Sequence, residues 1–228
     1  LKILKLKKPF AIFNLAAETH VDRSIDSPKS FIESNICGVF NLLEAIREYK
    51  RKIKLVHVST DEVYGSLDNG GLFNEQSPYQ PNSPYAASKA SSDHLVRAWN
   101  KTYGLPTIIS NCSNNFGPFQ FPEKLIPHMI IKIKQSQKLP IYGDGCQIRD
   151  WLSVYDHIDG IMKIIYEGKI GATYNIGGAS SEVQNIQIVR KICDLMDDFG
   201  IKHPDNIKST DLIEFVHDRP GHDKRYAI

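Results

Sequence analysis

Three short apolar runs, separated by two long segments of helical period, constrain this chain more than any other feature of it. The runs are Pro9 to Ala17, Ile53 to Ser59 and Thr107 to Cys112. Each is β-branched or apolar on both faces, as a buried parallel strand requires. Between the first two, Pro28 to Lys50 carries Phe31, Ile32, Ile36, Val39, Phe40, Leu42, Leu43 and Ile46 at helical spacing. Between the second and third, Ser83 and Pro84 read as an N-cap followed by a first-turn proline. That helix runs to Tyr103 and closes at Gly104 and Pro106. Strand, helix, strand, helix, strand implies a parallel sheet covered by helices on both faces.

After Gly117 the pattern changes. The spacing predicts a helix from Pro122 or Glu123 to about Gln137, strands at Leu139–Tyr142 and Ile148–Val154, and a helix at Tyr155–Glu167. A strand at Ala172–Ile176, a helix at Asn185–Phe199 and a strand at Asp211–Val216 follow. We therefore divide the chain at 1–117 and 118–228, the second region smaller in its elements and laid over the crevice of the first. The loop Gly65 to Ser83, rich in Gly, Asn and Pro, stands where a lid would. Lys2, Lys5, Lys7 and Lys8 alternate with leucine and isoleucine, as a helix end or a solvated strand.

A formal charge of +2 over 228 residues gives no bias toward nucleic acid or a membrane surface. No apolar run reaches the roughly 18 residues of a membrane span, and no secretory signal is legible. Cys37, Cys112, Cys146 and Cys193 are scattered, so neither zinc nor a disulfide framework is indicated. Reduced thiols in a cytoplasmic protein, with no metal, are expected.

In an open α/β sheet the carboxyl ends of the strands border the ligand crevice. The second run ends there in Ser59, Thr60, Asp61 and Glu62. On the next helix Tyr85 and Lys89 are four apart and share one face. A phenol of pKa near 10 is a poor base at neutral pH, and an ammonium one turn away would lower it. A hydroxyl, two adjacent carboxylates, a phenol and an ammonium at one edge make an acid–base site.

These residues sit in longer stretches: Leu15 to Ser24, Ser59 to Gly65, Ser83 to Trp99, Asn111 to Gly117, Phe121 to Pro127, Ile148 to Trp151 and Asp218 to His222. In that order they resemble the extended short-chain dehydrogenase/reductase superfamily, and within it the nucleotide-sugar 4,6-dehydratases. The resemblance implies a Rossmann-type doubly wound parallel sheet and NAD as cofactor. It also implies a nucleotide-diphosphate sugar as substrate, and a homodimer through the helices at Pro28–Lys50 and Pro84–Tyr103. The family opens with a strand, a Gly-x-x-Gly-x-x-Gly turn and a helix that hold the pyrophosphate. This chain starts near the family's fourth strand, so an N-terminally truncated, partial Rossmann domain with a smaller α/β substrate region is expected.

By the same resemblance Tyr85, with Lys89, is the base for the sugar C4 hydroxyl and Thr60 hydrogen-bonds that oxygen. Glu62 is the base at C5 and Asp61 the acid at the departing C6 hydroxyl. Cofactor residues carried over are Leu15, Ala16, Ala17, Glu18, Thr19, Ser34, Tyr85, Lys89 and Asn115; Ser34 stands where the family usually has Thr. Substrate residues carried over are Thr19, Asn114, Lys124, Leu125, Pro140, Ile141, Tyr142, Arg149, Asn185, Asp218, Arg219, Pro220, Gly221 and His222. Epimerases and decarboxylases of the superfamily fit less well, because they eliminate no water and need no adjacent carboxylate pair. The nucleobase stays open between thymine and uracil. A remnant that keeps the sugar-nucleotide face without catalysis stays open as well.

Overall fold

The computed structural model describes residues 1–67, 70–178 and 182–228. The first half runs α1 (Lys2–Lys7), β1 (Ala11–Asn14), α2 (Val21–Asp26), α3 (Pro28–Phe31), α4 (Gly38–Tyr49), β2 (Lys54–Thr60), α5 (Pro84–Tyr103), β3 (Thr107–Cys112) and β4 (Asn114–Phe116). The second runs α6 (Leu125–Lys134), β5 (Leu139–Tyr142), β6 (Ile148–Ser153), α7 (Val154–Glu167), β7 (Thr173–Ile176), β8 (Glu182–Gln184), α8 (Asn185–Asp198) and β9 (Ile213–Val216).

Strands β1, β2, β3 and β7 pair in that order, all parallel. Successive β-strand side chains point to opposite faces. On β2, Leu55 joins Val39, Leu43 and Ile46 of α4 and Val96 of α5 in one core. Its neighbour Val56 joins Ile161, Ile164 and Ile165 of α7 in another. The sheet is thus covered on both faces, and β2, an inner strand buried along most of its length, is its axis. His57 points to the α5 side, between Asn14 Nδ2 at 3.0 Å and Ser92 Oγ at 3.1 Å. Burial holds its pKa below the usual imidazole range.

A third core joins α6, α8, β5 and the segment before β9. There β5 and β9 pair parallel, and a separate ribbon joins β4, β6 and β8. Several boundaries differ from the sequence reading. The helical run of Pro28–Tyr49 is widened to a π-helix at Ile32–Cys37. Residues expected as a polar loop before Pro28 form α2, and the lysine-rich start is helical. α6 begins at Leu125, because Pro122 and Glu123 lie in turns. Asn114 and Asn115, read as the end of the third strand, leave it to pair with β6.

The loop after Gly65 is stitched down, which argues against a free lid. Leu67 N–H donates to Arg225 O and Phe73 N–H to Ala227 O, and the Arg225 guanidinium donates to the Gly70 and Gly71 carbonyls. Residues 68 and 69 of this loop lie outside the described residues.

Leu55 has no exposed surface. Leu55→Ala should therefore cost about 2–5 kcal/mol in denaturant unfolding with an unchanged m-value. A loss under about 1 kcal/mol would show that the sheet core is not where we place it.

Candidate active site

The polar run at the end of β2 is held by its own turn. The Thr60 hydroxyl accepts from Glu62 N–H and donates to Asp61 Oδ1, both at 3.3 Å, which caps a 3₁₀ turn over Asp61–Tyr64. Asp61 is buried at 1% exposure, and its Oδ2 has no hydrogen-bond partner among the described residues. Burial pushes its carboxyl well above the usual carboxylate range, and the charge of Glu62 adds to this. Glu62 is also raised by burial, but Arg149, Arg219 and Lys124 pull it back. Two adjacent carboxyl groups thus meet different surroundings: burial favours the protonated form of Asp61, and Glu62 has the cations that favour its ionised form.

α5 brings Tyr85 and Lys89 to the same strand ends. The Ser83 hydroxyl caps its first turn by accepting from Ala86 N–H, and Ser24 of α2 accepts from Tyr85 N–H at 3.1 Å. Lys89 Nζ donates to Val58 O on β2 at 2.8 Å. Tyr85 feels Glu62, Cys112, Thr60 and Asp61, so the phenol and the carboxylate pair share one neighbourhood. The expectation that Lys89 lowers the Tyr85 pKa is not met. Burial and the Glu62 charge push the phenol well above 10, while Lys89 is itself lowered by burial and anchored on a carbonyl.

Next to these groups opens a cavity of about 430 Å³. Of the carried-over substrate residues, Thr19, Asn114, Lys124, Leu125, Pro140, Ile141, Tyr142, Arg149, Asn185, Arg219 and His222 border it, together with Glu62. Asp218, Pro220 and Gly221 do not border it. Asp218 instead orients the wall: its Oδ1 accepts from His222 Nδ1 at 2.6 Å and its Oδ2 from Gln147 Nε2 at 3.2 Å. Gly221 has φ of 65°, and a Cβ there would meet Asn82 O at 2.9 Å. Only glycine takes that turn without displacing the neighbouring loop.

Three cations meet at the cavity: Lys124, Arg149 and Arg219. Arg149 is buried, and its guanidinium donates to the carbonyls of Ile148 and Asp223. Arg219 pairs with Asp22 at 2.8 Å, and its Nε has no hydrogen-bond partner among the described residues. Tyr142 donates to the other Asp22 oxygen at 3.0 Å, and Lys124 to Thr19 O at 2.7 Å. Always-charged guanidinium groups with free donors suit a diphosphate.

The residues carried over for a cofactor cluster less completely. Leu15, Ala16 and Thr19 are exposed beyond β1, and Ala17 and Glu18 are half-buried there. Ser34 is exposed on the π-helical turn. Its neighbour Asn35, which the sequence reading passed over, is the residue that shapes this strand end. It accepts from Glu18 N–H at 2.9 Å and donates to Glu18 O and Ser88 Oγ at 3.0 and 2.8 Å. Asn115 is spent on protein partners, donating to Ser113 O and facing His157 Nδ1 at 2.8 Å. Sequence reasoning also missed Asp22, Gln147, Trp151 and Tyr226 in the cavity wall. An isolated Asp, Gln or Tyr carries no spacing signal; Asp22 and Trp151 at least lay within the matched stretches.

Asp61→Asn should reveal the buried carboxyl in stability. A folded-state pKa raised above the unfolded value means stability fully present below about 3.9 and lost as pH rises, at about 1.4 kcal/mol per unit, until the folded group titrates. The stability of the variant relative to the parent should therefore rise between pH 4.5 and 7 in urea unfolding. A difference that stays flat or falls would contradict the burial of this charge.

The family model described as GDP-mannose 4,6 dehydratase matches residues 1–228. The dTDP-glucose 4,6-dehydratase of Neisseria meningitidis serogroup B is 55% identical over 97% of this chain and 65% of its own length. The dTDP-glucose 4,6-dehydratase 1 of Escherichia coli K12 is 52% identical over 100% of this chain and 66% of its own. The crystal structure of the Streptomyces venezuelae dTDP-glucose 4,6-dehydratase, with NAD bound, superposes with a TM-score of 0.89 at 42% identity, over 98% of this chain and 66% of that one. This chain thus spans about two thirds of the length of the relatives it matches, and it belongs to the 4,6-dehydratase family that the model describes.

Proposed function

We propose that this family member acts as a dTDP-glucose 4,6-dehydratase, converting dTDP-glucose to dTDP-4-keto-6-deoxyglucose and water with no net oxidation. One observation carries the reading: a fully buried Asp61 and a cation-flanked Glu62 stand side by side at the end of β2, next to Tyr85 and a cavity lined by three cations. The named relatives act on the thymidine nucleotide, which favours thymine over uracil.

NAD fits the strand ends in one respect that the structure itself offers. Lys89 Nζ has three donors and one acceptor, Val58 O, among the described residues. Its remaining donors suit ribose hydroxyls, and Leu15 to Thr19 and Ser34 would line the rest of that end. When bound, the dinucleotide would accept a hydride from C4 and give it back at C6 once water has left, so no net redox occurs. Tyr85 would take the C4 hydroxyl proton as its phenolate, a form that burial disfavours in the protein alone and that a cationic nicotinamide ring beside it would favour, and Thr60 would hold that oxygen. The C4 ketone makes the C5 proton acidic. Glu62 removes it, while Asp61 gives its proton to the C6 hydroxyl, which leaves as water. Glu62 then returns a proton to C5. Lys124, Arg149 and Arg219 hold the diphosphate, and Tyr142, Asn185 and His222 hold the nucleoside end, with Asp218 orienting His222 from behind.

The same reading places residues 1–117 as a partial NAD-binding domain that carries the catalytic groups and 118–228 as the sugar-nucleotide region. It also makes the protein a homodimer through the α4 and α5 faces. There Phe40 packs edge-on to Trp99 at 5.9 Å, and Ile32, Phe40 and Tyr103 stay exposed. Four free cysteines suit the reducing cytoplasm, and the product suits supply of a 6-deoxysugar such as rhamnose.

The reaction is tested with dTDP-glucose and NAD. Asp61→Asn should lower turnover by about 10²–10⁴-fold while C4 oxidation persists, so that reduced cofactor accumulates on the protein. Elimination at the parent rate would refute the acid assignment. Phe40→Glu should halve the sedimenting mass; a parent protein that already sediments as a monomer would refute the dimer.

A further inference from the structure

Tyr226 has no role in anything above, yet it borders the cavity while only 2% exposed. Its hydroxyl lies 2.8 Å from Asp223 Oδ2 and 3.5 Å from Glu62 Oε2. The Arg149 guanidinium sits 4.2 Å from its ring centroid. The phenol is held in place by its backbone. Ile148 N–H donates to Lys224 O, and Tyr226 N–H returns to Ile148 O. Its two neighbours are pinned as well: Arg225 O and Ala227 O accept from Leu67 and Phe73, and Arg225 grips Glu182 through two nitrogens.

A phenol has one proton to donate. The shorter contact assigns it to Asp223, whose other oxygen accepts from Asn82 Nδ2 at 2.6 Å. The phenol oxygen then turns a lone pair toward Glu62. Two acceptors face each other, and 3.5 Å is the long separation such a pair keeps. A lone pair repels a carboxylate and welcomes a carboxylic acid. Asp61, Tyr85, Lys124, Arg149, Arg219 and Asp223 also act on Glu62 electrostatically. Among the described residues, Tyr226 is the side chain within hydrogen-bond distance of its carboxyl, at 3.5 Å.

We propose that Tyr226 is a positioning residue for Glu62: its hydroxyl, committed to Asp223, accepts a hydrogen bond from the Glu62 carboxyl once that carboxyl is protonated. The proton taken from carbon is thereby held in place for its return to the same carbon. The catalytic half of this rests on the dehydratase reading; the contact between the two side chains does not.

The test uses Tyr226→Phe, which keeps the ring under Arg149 and deletes only the hydroxyl. The Glu62 carboxyl is followed by carbon-13 NMR in the purified protein without cofactor, with Glu62→Gln to assign its signal. The titration midpoint should fall by about one pH unit, the worth of one lost hydrogen bond to the neutral acid. With dTDP-glucose deuterated at C5, kcat should fall about tenfold with little change in KM, and the isotope effect should rise. An unmoved midpoint overturns the proposal, as does a fall in activity that leaves the isotope effect unchanged. If Tyr226→Phe does not fold, 3,5-difluorotyrosine at position 226 serves. It keeps the ring and the charges around Glu62 and weakens the hydroxyl as an acceptor, so the midpoint should again fall, and an unmoved one again overturns the proposal. If the parent protein eliminates no water from dTDP-glucose, the dehydratase reading fails, and the midpoint alone decides the contact.

Discussion

The central position of β2 is the constraint on which the rest depends. A strand flanked on both sides by parallel partners, with α4 and α5 on one face and α7 on the other, meets little solvent along its length. Its last residues are polar and come out at the edge where such sheets bind ligands. Asp61 is therefore desolvated by the architecture and not by a specific partner. Desolvation of a carboxyl is costly unless it holds a proton, and that is the state an acid catalyst needs.

The neighbouring carboxyl is desolvated too, but the second half of the chain folds back over the strand end and brings cations that oppose the shift. Lys124 precedes α6, Arg149 lies on β6, and Arg219 follows β9. All three act on Glu62. Segments far apart in sequence thus set the difference between two adjacent side chains. The C-terminal strap contributes again through Tyr226 and Asp223, and it also fastens the loop after Gly65.

The α/β class and the order of strands and helices were legible because β2, β3 and α5 each carry one clear period and clear stops. The acid–base cluster was legible because Thr60, Asp61, Glu62, Tyr85 and Lys89 fall in contiguous stretches. The side-chain traffic was not. Lys89 was expected to act on Tyr85, but α5 lies close enough to β2 for its ammonium to reach the Val58 carbonyl. Asn35 is buried within the π-helical turn at Ile32–Cys37, and no residue pattern announces such a turn. Tyr226 meets Glu62 across 164 residues of separation, a contact that depends on how three sheets assemble.

The most direct measurement is a crystal structure of the Glu62→Gln protein with NAD and dTDP-glucose. Our account predicts one hexose ring with its C4 hydroxyl on Tyr85 and Thr60, its C5 facing residue 62, and its C6 hydroxyl on Asp61. A hexose that leaves Asp61 and residue 62 on a different side from Tyr85, or a nucleotide seated away from Lys124, Arg149 and Arg219, would contradict it.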